Sequence, residues 1–169
     1  MDFFVYQRSG DELAALRIIF SLLHPNLSET AHSFANSPEH VPHILTDAYI
    51  NCWLNIDRLN NLPAIVDFLQ PLVRKSAPDD GGGLVFEEMY KEIHKSMVNP
   101  YYYPSPLPTF TTRDKEIFSI LYTRKMALDR ISAYLDLPGY VILQHVKNVT
   151  FFLTHLLQGL YSKSTVQVD

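Results

Sequence analysis

The stretch Leu128-Asp129-Arg130-Ile131-Ser132-Ala133-Tyr134-Leu135-Asp136-Leu137-Pro138-Gly139-Tyr140-Val141-Ile142-Leu143-Gln144-His145-Val146-Lys147-Asn148-Val149 carries more structural information than any other part of the chain. Ile131 and Leu135 recur at helical spacing, so residues 128–135 predict a short helix with those two side chains inward. Leu137-Pro138-Gly139 is a tight break, where Gly relieves backbone strain and Pro can open a helix. Residues 141–153 then predict a longer helix, with Ile142, Val146 and Val149 on its inner face.

Working outward, residues 114–122 predict a preceding helix that places Ile117, Ile120 and Leu121 against the same small core. Two helices around a short turn, with the second laid in a major groove, is the helix-turn-helix design. A small helical bundle without DNA contact satisfies the same periodicity. Further upstream, Asn99-Pro100-Tyr101-Tyr102-Tyr103-Pro104-Ser105-Pro106-Leu107-Pro108-Thr109 holds four prolines in eleven residues. Proline has no N–H to give a helix and extends the residue before it, so this segment predicts a linker. The expected organisation is a first domain over residues 1–98, a linker over 99–109 and an all-α domain over 110–169.

The first domain reads as alternating strands and helices. Phe3-Phe4-Val5-Tyr6, residues 41–50, 64–68 and 71–74 are short apolar runs that predict strands. Ser9-Gly10-Asp11-Glu12 has the form of a capping box. Leu13, Leu16, Phe20 and Leu23 follow at helical spacing, and His24-Pro25 predicts the end of that helix. Asp79-Asp80-Gly81-Gly82-Gly83 predicts a turn, and residues 84–97 a helix with Leu84, Met89, Ile93 and Met97 inward. The fold class expected is therefore an α/β N-terminal domain followed by an all-α helix-turn-helix domain.

Charge is unevenly spread. Residues 1–107 carry seven Lys/Arg against thirteen Asp/Glu, and residues 108–169 carry seven against five. A difference in sign between halves suggests different partners. The single cysteine, Cys52, excludes an internal disulfide framework and reads as a small buried apolar residue beside Trp53. The N-terminus lacks a basic flank, and no apolar run is long enough to span a bilayer, so a cytoplasmic, soluble protein is expected. The seven histidines form neither H-x-x-x-H nor H-E-x-x-H, with His40 and His43 beside prolines. No nucleophile elbow is present, and Gly81-Gly82-Gly83 lacks the Lys-Ser/Thr of a phosphate loop. No enzyme, metal site or cofactor is expected.

Three blocks add a resemblance. Phe110-Thr111-Thr112-Arg113-Asp114-Lys115-Glu116-Ile117-Phe118 resembles the L-T-P-R-E-R-E-V-L opening of LuxR/NarL/FixJ-family helix-turn-helix domains. Arg130-Ile131-Ser132-Ala133-Tyr134-Leu135-Asp136-Leu137 is similar to that family's E-I-A-x-x-L-x-I. Val141-Ile142-Leu143-Gln144-His145-Val146-Lys147-Asn148-Val149 is similar to its T-V-K-x-H-V-x-x-I recognition helix. The resemblance implies a transcription regulator, homodimeric on double-stranded DNA, with Tyr140, Leu143, Gln144, Lys147, Asn148 and Lys125 as the DNA-binding residues. Lys147 suits a phosphate or a guanine edge, and Gln144 and Asn148 suit adenine edges. Leu143 stands where the family often has a basic residue. Arg113, Lys115, Arg124 and Arg130 are further phosphate candidates.

The resemblance extends upstream to a degenerate, shortened receiver, with Asp47 in a third strand and Lys75 after a fifth. Gln7-Arg8 occupies the place of the acidic pair that would hold Mg²⁺, which needs hard oxygen ligands. Phosphorylation is therefore not expected. The alternative function is an interaction protein whose helix-turn-helix has lost DNA binding and engages another regulatory protein.

Overall fold

The computed structural model describes residues 12–79, 84–98 and 111–160, and every regular element among them is a helix. The chain forms two compact units that divide between Asp79 and Asp80.

The first unit contains helices α1 (Glu12–Phe34), α2 (Val41–Leu54) and α3 (Leu62–Val73), which pack pairwise on one another. Single 3₁₀ turns, Pro38–His40 and Ile56–Arg58, flank α2. This corrects the α/β expectation, because residues 41–50, 64–68 and 71–73 lie in helices. The reason is visible in the burial pattern. Val41, Ile44, Leu45, Ala48, Tyr49, Cys52 and Trp53 are all buried, a run of three- and four-residue steps that only a helix can direct to one core. Ile65, Leu69 and Val73 make the corresponding four-residue stripe on α3. That helix starts at Asn61, whose side chain accepts the Ala64 N–H at 2.8 Å, with Pro63 in the first turn.

Helix α1 also runs past the predicted stop. His24-Pro25 lies inside it, and Leu27 and Ala31 continue the buried stripe of Leu16 and Phe20. Pro25 forfeits one helical hydrogen bond, yet it faces solvent while the turns on either side are held to the core. With no strand among the described residues, the receiver analogy falls. Asp47 sits in the middle of α2, its carbonyl accepting from the Asn51 side chain, and Lys75 pairs with Asp79 at 3.0 Å beyond α3. Phe3-Phe4-Val5-Tyr6, the Ser9 cap and the 99–109 linker lie outside the described residues.

The second unit contains α4 (Leu84–Val98), α5 (Thr112–Arg124), α6 (Leu128–Leu135) and α7 (Gly139–Leu157). Helices α4, α5 and α6 all pack on α7, which acts as the central element. Helix α4, assigned from sequence to the first domain, therefore belongs with the C-terminal helices. Met89 and Ile93 on α4, Ile117, Phe118 and Leu121 on α5, Ile131 on α6 and Ile142, Val146 and Val149 on α7 are all buried. The second half of α7 is buried almost all round, from Phe152 to Leu157. Burying each such large apolar side chain contributes roughly 1.5–3 kcal/mol before entropic losses. Tyr90 on α4 and Tyr122 on α5 add a hydroxyl pair at 3.0 Å.

Candidate nucleic-acid interface

The turn before α7 is built by local backbone chemistry. Asp136 adopts the left-handed conformation (φ 52°), which a short polar side chain tolerates better than most. Its N–H and that of Leu137 both return to the Ser132 carbonyl, closing α6. The Ser132 hydroxyl donates to the Leu137 carbonyl and braces the same turn. Pro138 then ends the turn and Gly139 opens α7.

At the other end of the module, Thr111 caps α5. Asp114 N–H donates to Thr111 Oγ1 at 3.2 Å, and Thr111 N–H donates to Asp114 Oδ2 at 2.7 Å, a reciprocal capping box. Asp114 does more than cap. Its Oδ1 lies 2.6 Å from His145 Nδ1 and 3.3 Å from Asn148 Nδ2, both on α7, while the Thr111 hydroxyl donates to Oδ2 at 2.8 Å. Burial of Asp114 disfavours its charge, but the donors from His145, Thr111 and Asn148 outweigh that and hold the carboxyl below its usual range. An ionised carboxylate only accepts, so His145 donates through Nδ1. The first and third of the three sequence blocks are thus joined by a polar network only 2% exposed at its carboxylate.

The residues expected to meet DNA divide into two groups. Tyr140 (76% exposed), Leu143 (41%), Gln144 and Lys147 lie on the open face of α7. The Lys147 ammonium rests 5.6 Å from the centre of the Phe151 ring. Asn148 is half-buried and committed to Asp114, which the sequence did not signal. Lys125 is exposed at the left-handed end of α5 (φ 48°). Among the phosphate candidates, Arg113 pairs with Glu116 at 3.6 Å and Arg124 lies over the Tyr134 ring at 6.0 Å.

One flank of this face is not a simple cationic surface. Leu143 and Lys147 also line an open groove of about 730 Å³, whose other wall on α4 includes Glu88, Met89 and Glu92. Including α4, residues 80–169 carry nine Lys/Arg and nine Asp/Glu, so the positive excess of the last third vanishes. Among the described residues no helix is long and apolar enough to cross a membrane, and no three His, Cys, Asp or Glu side chains gather as a metal site.

No family model, curated protein or solved structure matches the chain.

Proposed function

We propose that the chain is a bacterial, LuxR-type helix-turn-helix transcription regulator that binds double-stranded DNA as a homodimer through the exposed half of α7. The observation that carries this reading is the Asp114–His145–Asn148 network. It makes a single packed module from the blocks whose spelling resembles the family. It also fixes α5 against α7 at the point where Gln144 and Lys147 face outward. A three-residue turn between an eight-residue helix and a nineteen-residue helix supports the same reading.

The role of each residue follows from its chemistry. Lys147 neutralises a phosphate, with its stem steadied by Phe151, and Gln144 meets a base edge. Tyr140, at the first turn of α7, and Lys125, at the end of α5, meet the backbone on either side. Leu143 contributes apolar contact, such as a thymine methyl. The first unit, helical and acidic, receives a protein signal and not a phosphoryl group.

A second reading is favoured by the groove. A mostly apolar trough bordering Leu143 and Lys147, in a unit without net charge, suits an interaction protein that engages another regulator. Duplex binding followed across a salt series decides between the two, because only phosphate neutralisation gives a steep dependence.

A further inference from the structure

Gln144 is connected to Asp114 through one intervening side chain. All four acceptor positions of the Asp114 carboxylate are engaged. Oδ2 takes the Thr111 N–H and hydroxyl, and Oδ1 takes His145 Nδ1 and Asn148 Nδ2. Because a carboxylate has no hydrogen to give, Asn148 must turn its Nδ2 toward it. The Asn148 Oδ1 is then directed away, and Gln144 Nε2 lies 3.4 Å from it. Only a donor can meet that oxygen, so the Gln144 amide is oriented as well. One Nε2 hydrogen is engaged, leaving the second N–H and the Oε1 acceptor.

That remainder matches one base better than the others. In the major groove adenine presents an N7 acceptor beside an N6 donor, whereas guanine presents two acceptors, N7 and O6. One N–H and one C=O pair with adenine through two bonds. Guanine would need both Nε2 hydrogens, and one of them is already held by Asn148.

We propose that Asp114, acting through Asn148, sets the Gln144 amide so that it reads an A·T pair in preference to a G·C pair. Asp114 and Asn148 are positioning residues, and Gln144 is the reader. This rests on the regulator reading. It also reassigns Asn148, which the family resemblance would place on DNA, to a role behind the contact. Asp114 is too deeply buried to touch a duplex, so any effect of changing it on base preference must travel through its partners.

The test starts with sites selected from random duplexes by the intact protein. The position read by Gln144 is the one whose preference disappears in Gln144→Ala. At that position the wild type is expected to favour A·T over G·C by about tenfold, within the range of a two-bond contact. Asp114→Asn gives Asn148 a neighbour that can itself donate and lets the amide turn over. This variant and Asn148→Ala should each reduce the preference to near unity. Their double variant should be no worse than either, since both act on one chain of bonds. Asp114→Glu, which retains the carboxylate, should restore the preference. The slope of affinity against salt should stay unchanged throughout, because no phosphate contact is lost. Asn148 is half-exposed, so its variant remains informative if Asp114→Asn unfolds, and helical circular dichroism verifies the fold of each.

A G·C preference at the Gln144 position, or an undiminished preference in Asp114→Asn and Asn148→Ala, overturns the proposal while leaving the regulator reading intact. Additive effects of Asp114→Asn and Asn148→Ala overturn it too, because Asn148 would then act through a contact of its own. If the wild type enriches no sequence at all, the regulator reading itself fails.

Discussion

His145, near the middle of α7, donates to the carboxylate of Asp114, three residues past the cap of α5, across 2.6 Å. The pair joins a helix start to the face of the helix proposed to meet DNA. It converts a cap, ordinarily a local device, into a tertiary contact.

The acid stability of the second unit should report this contact. Asp114 is held below the unfolded carboxyl value of about 3.9, so its contribution is full above that pH. It is lost as pH falls through the lowered folded value. Asp114→Ala removes the carboxylate half of the capping box and leaves Thr111, His145 and Asn148 without their acceptor, costing about 2–4 kcal/mol at neutral pH. Hydrogen exchange of α5 and α7 amides, followed below pH 4 in wild type and variant, measures it. Equal acid sensitivity in the two proteins would contradict the assignment.

The first unit should lose stability in a different window. His24 Nδ1 lies 2.7 Å from the Tyr49 hydroxyl, and burial lowers its pKa to about 4. The unfolded chain takes up that proton near pH 6.5, so stability falls as pH drops from about 6.5 to about 4 and levels below. The loss amounts to about 3 kcal/mol, read as earlier exchange of α1 and α2 amides. In His24→Gln the slope across this window should disappear, whereas the slope below pH 4 assigned to Asp114 should remain.

Pro25 offers a test of the continuous α1. An exposed proline inside a helix lacks one hydrogen bond, so Pro25→Ala should raise stability. The gain should be about 1–2 kcal/mol in urea unfolding, since the more flexible unfolded chain offsets part of it. A loss of stability would mean that the bend at Pro25 is required for packing.

Cys52 should be inert. It is fully buried on α2, and burial pushes its thiol up to about 12. Alkylation by a water-soluble maleimide should be at least a hundredfold slower in the native protein than in urea. Comparable rates would show that the first unit opens readily.

The sequence made the second unit legible because its helices are amphipathic and punctuated. Residues 128–135 were bounded by the Leu137-Pro138-Gly139 break, and the observed α6 has those limits. The first unit was misread because its segments are apolar on nearly every side. The run from Val41 to Ile50 has seven apolar residues in ten once Pro42 is counted, and such a run satisfies strand and helix alike. Asn61-Leu62-Pro63 is a helix start whose signal competes with the strand-like run after it, and His24-Pro25 has the form of a helix stop where tertiary packing carries the helix through. At the candidate interface the exposed residues were legible from the stripe opposite Ile142, Val146 and Val149. Asn148 was not, because helical spacing alone does not reveal a carboxylate arriving from α5. The Thr111-x-x-Asp114 cap was the available signal, and it gave no hint of a second partner.

The regulator reading is tested most directly by the salt dependence of duplex binding in wild type and Lys147→Ala. Binding should weaken steeply between about 50 and 200 mM salt, with log affinity linear in log salt. Lys147→Ala should weaken binding to all sequences and lower that slope by about 0.9, one phosphate contact, without unfolding the exposed half of α7. A wild type that binds no duplex even at the lowest salt, or a slope that Lys147→Ala leaves unchanged, would contradict the account.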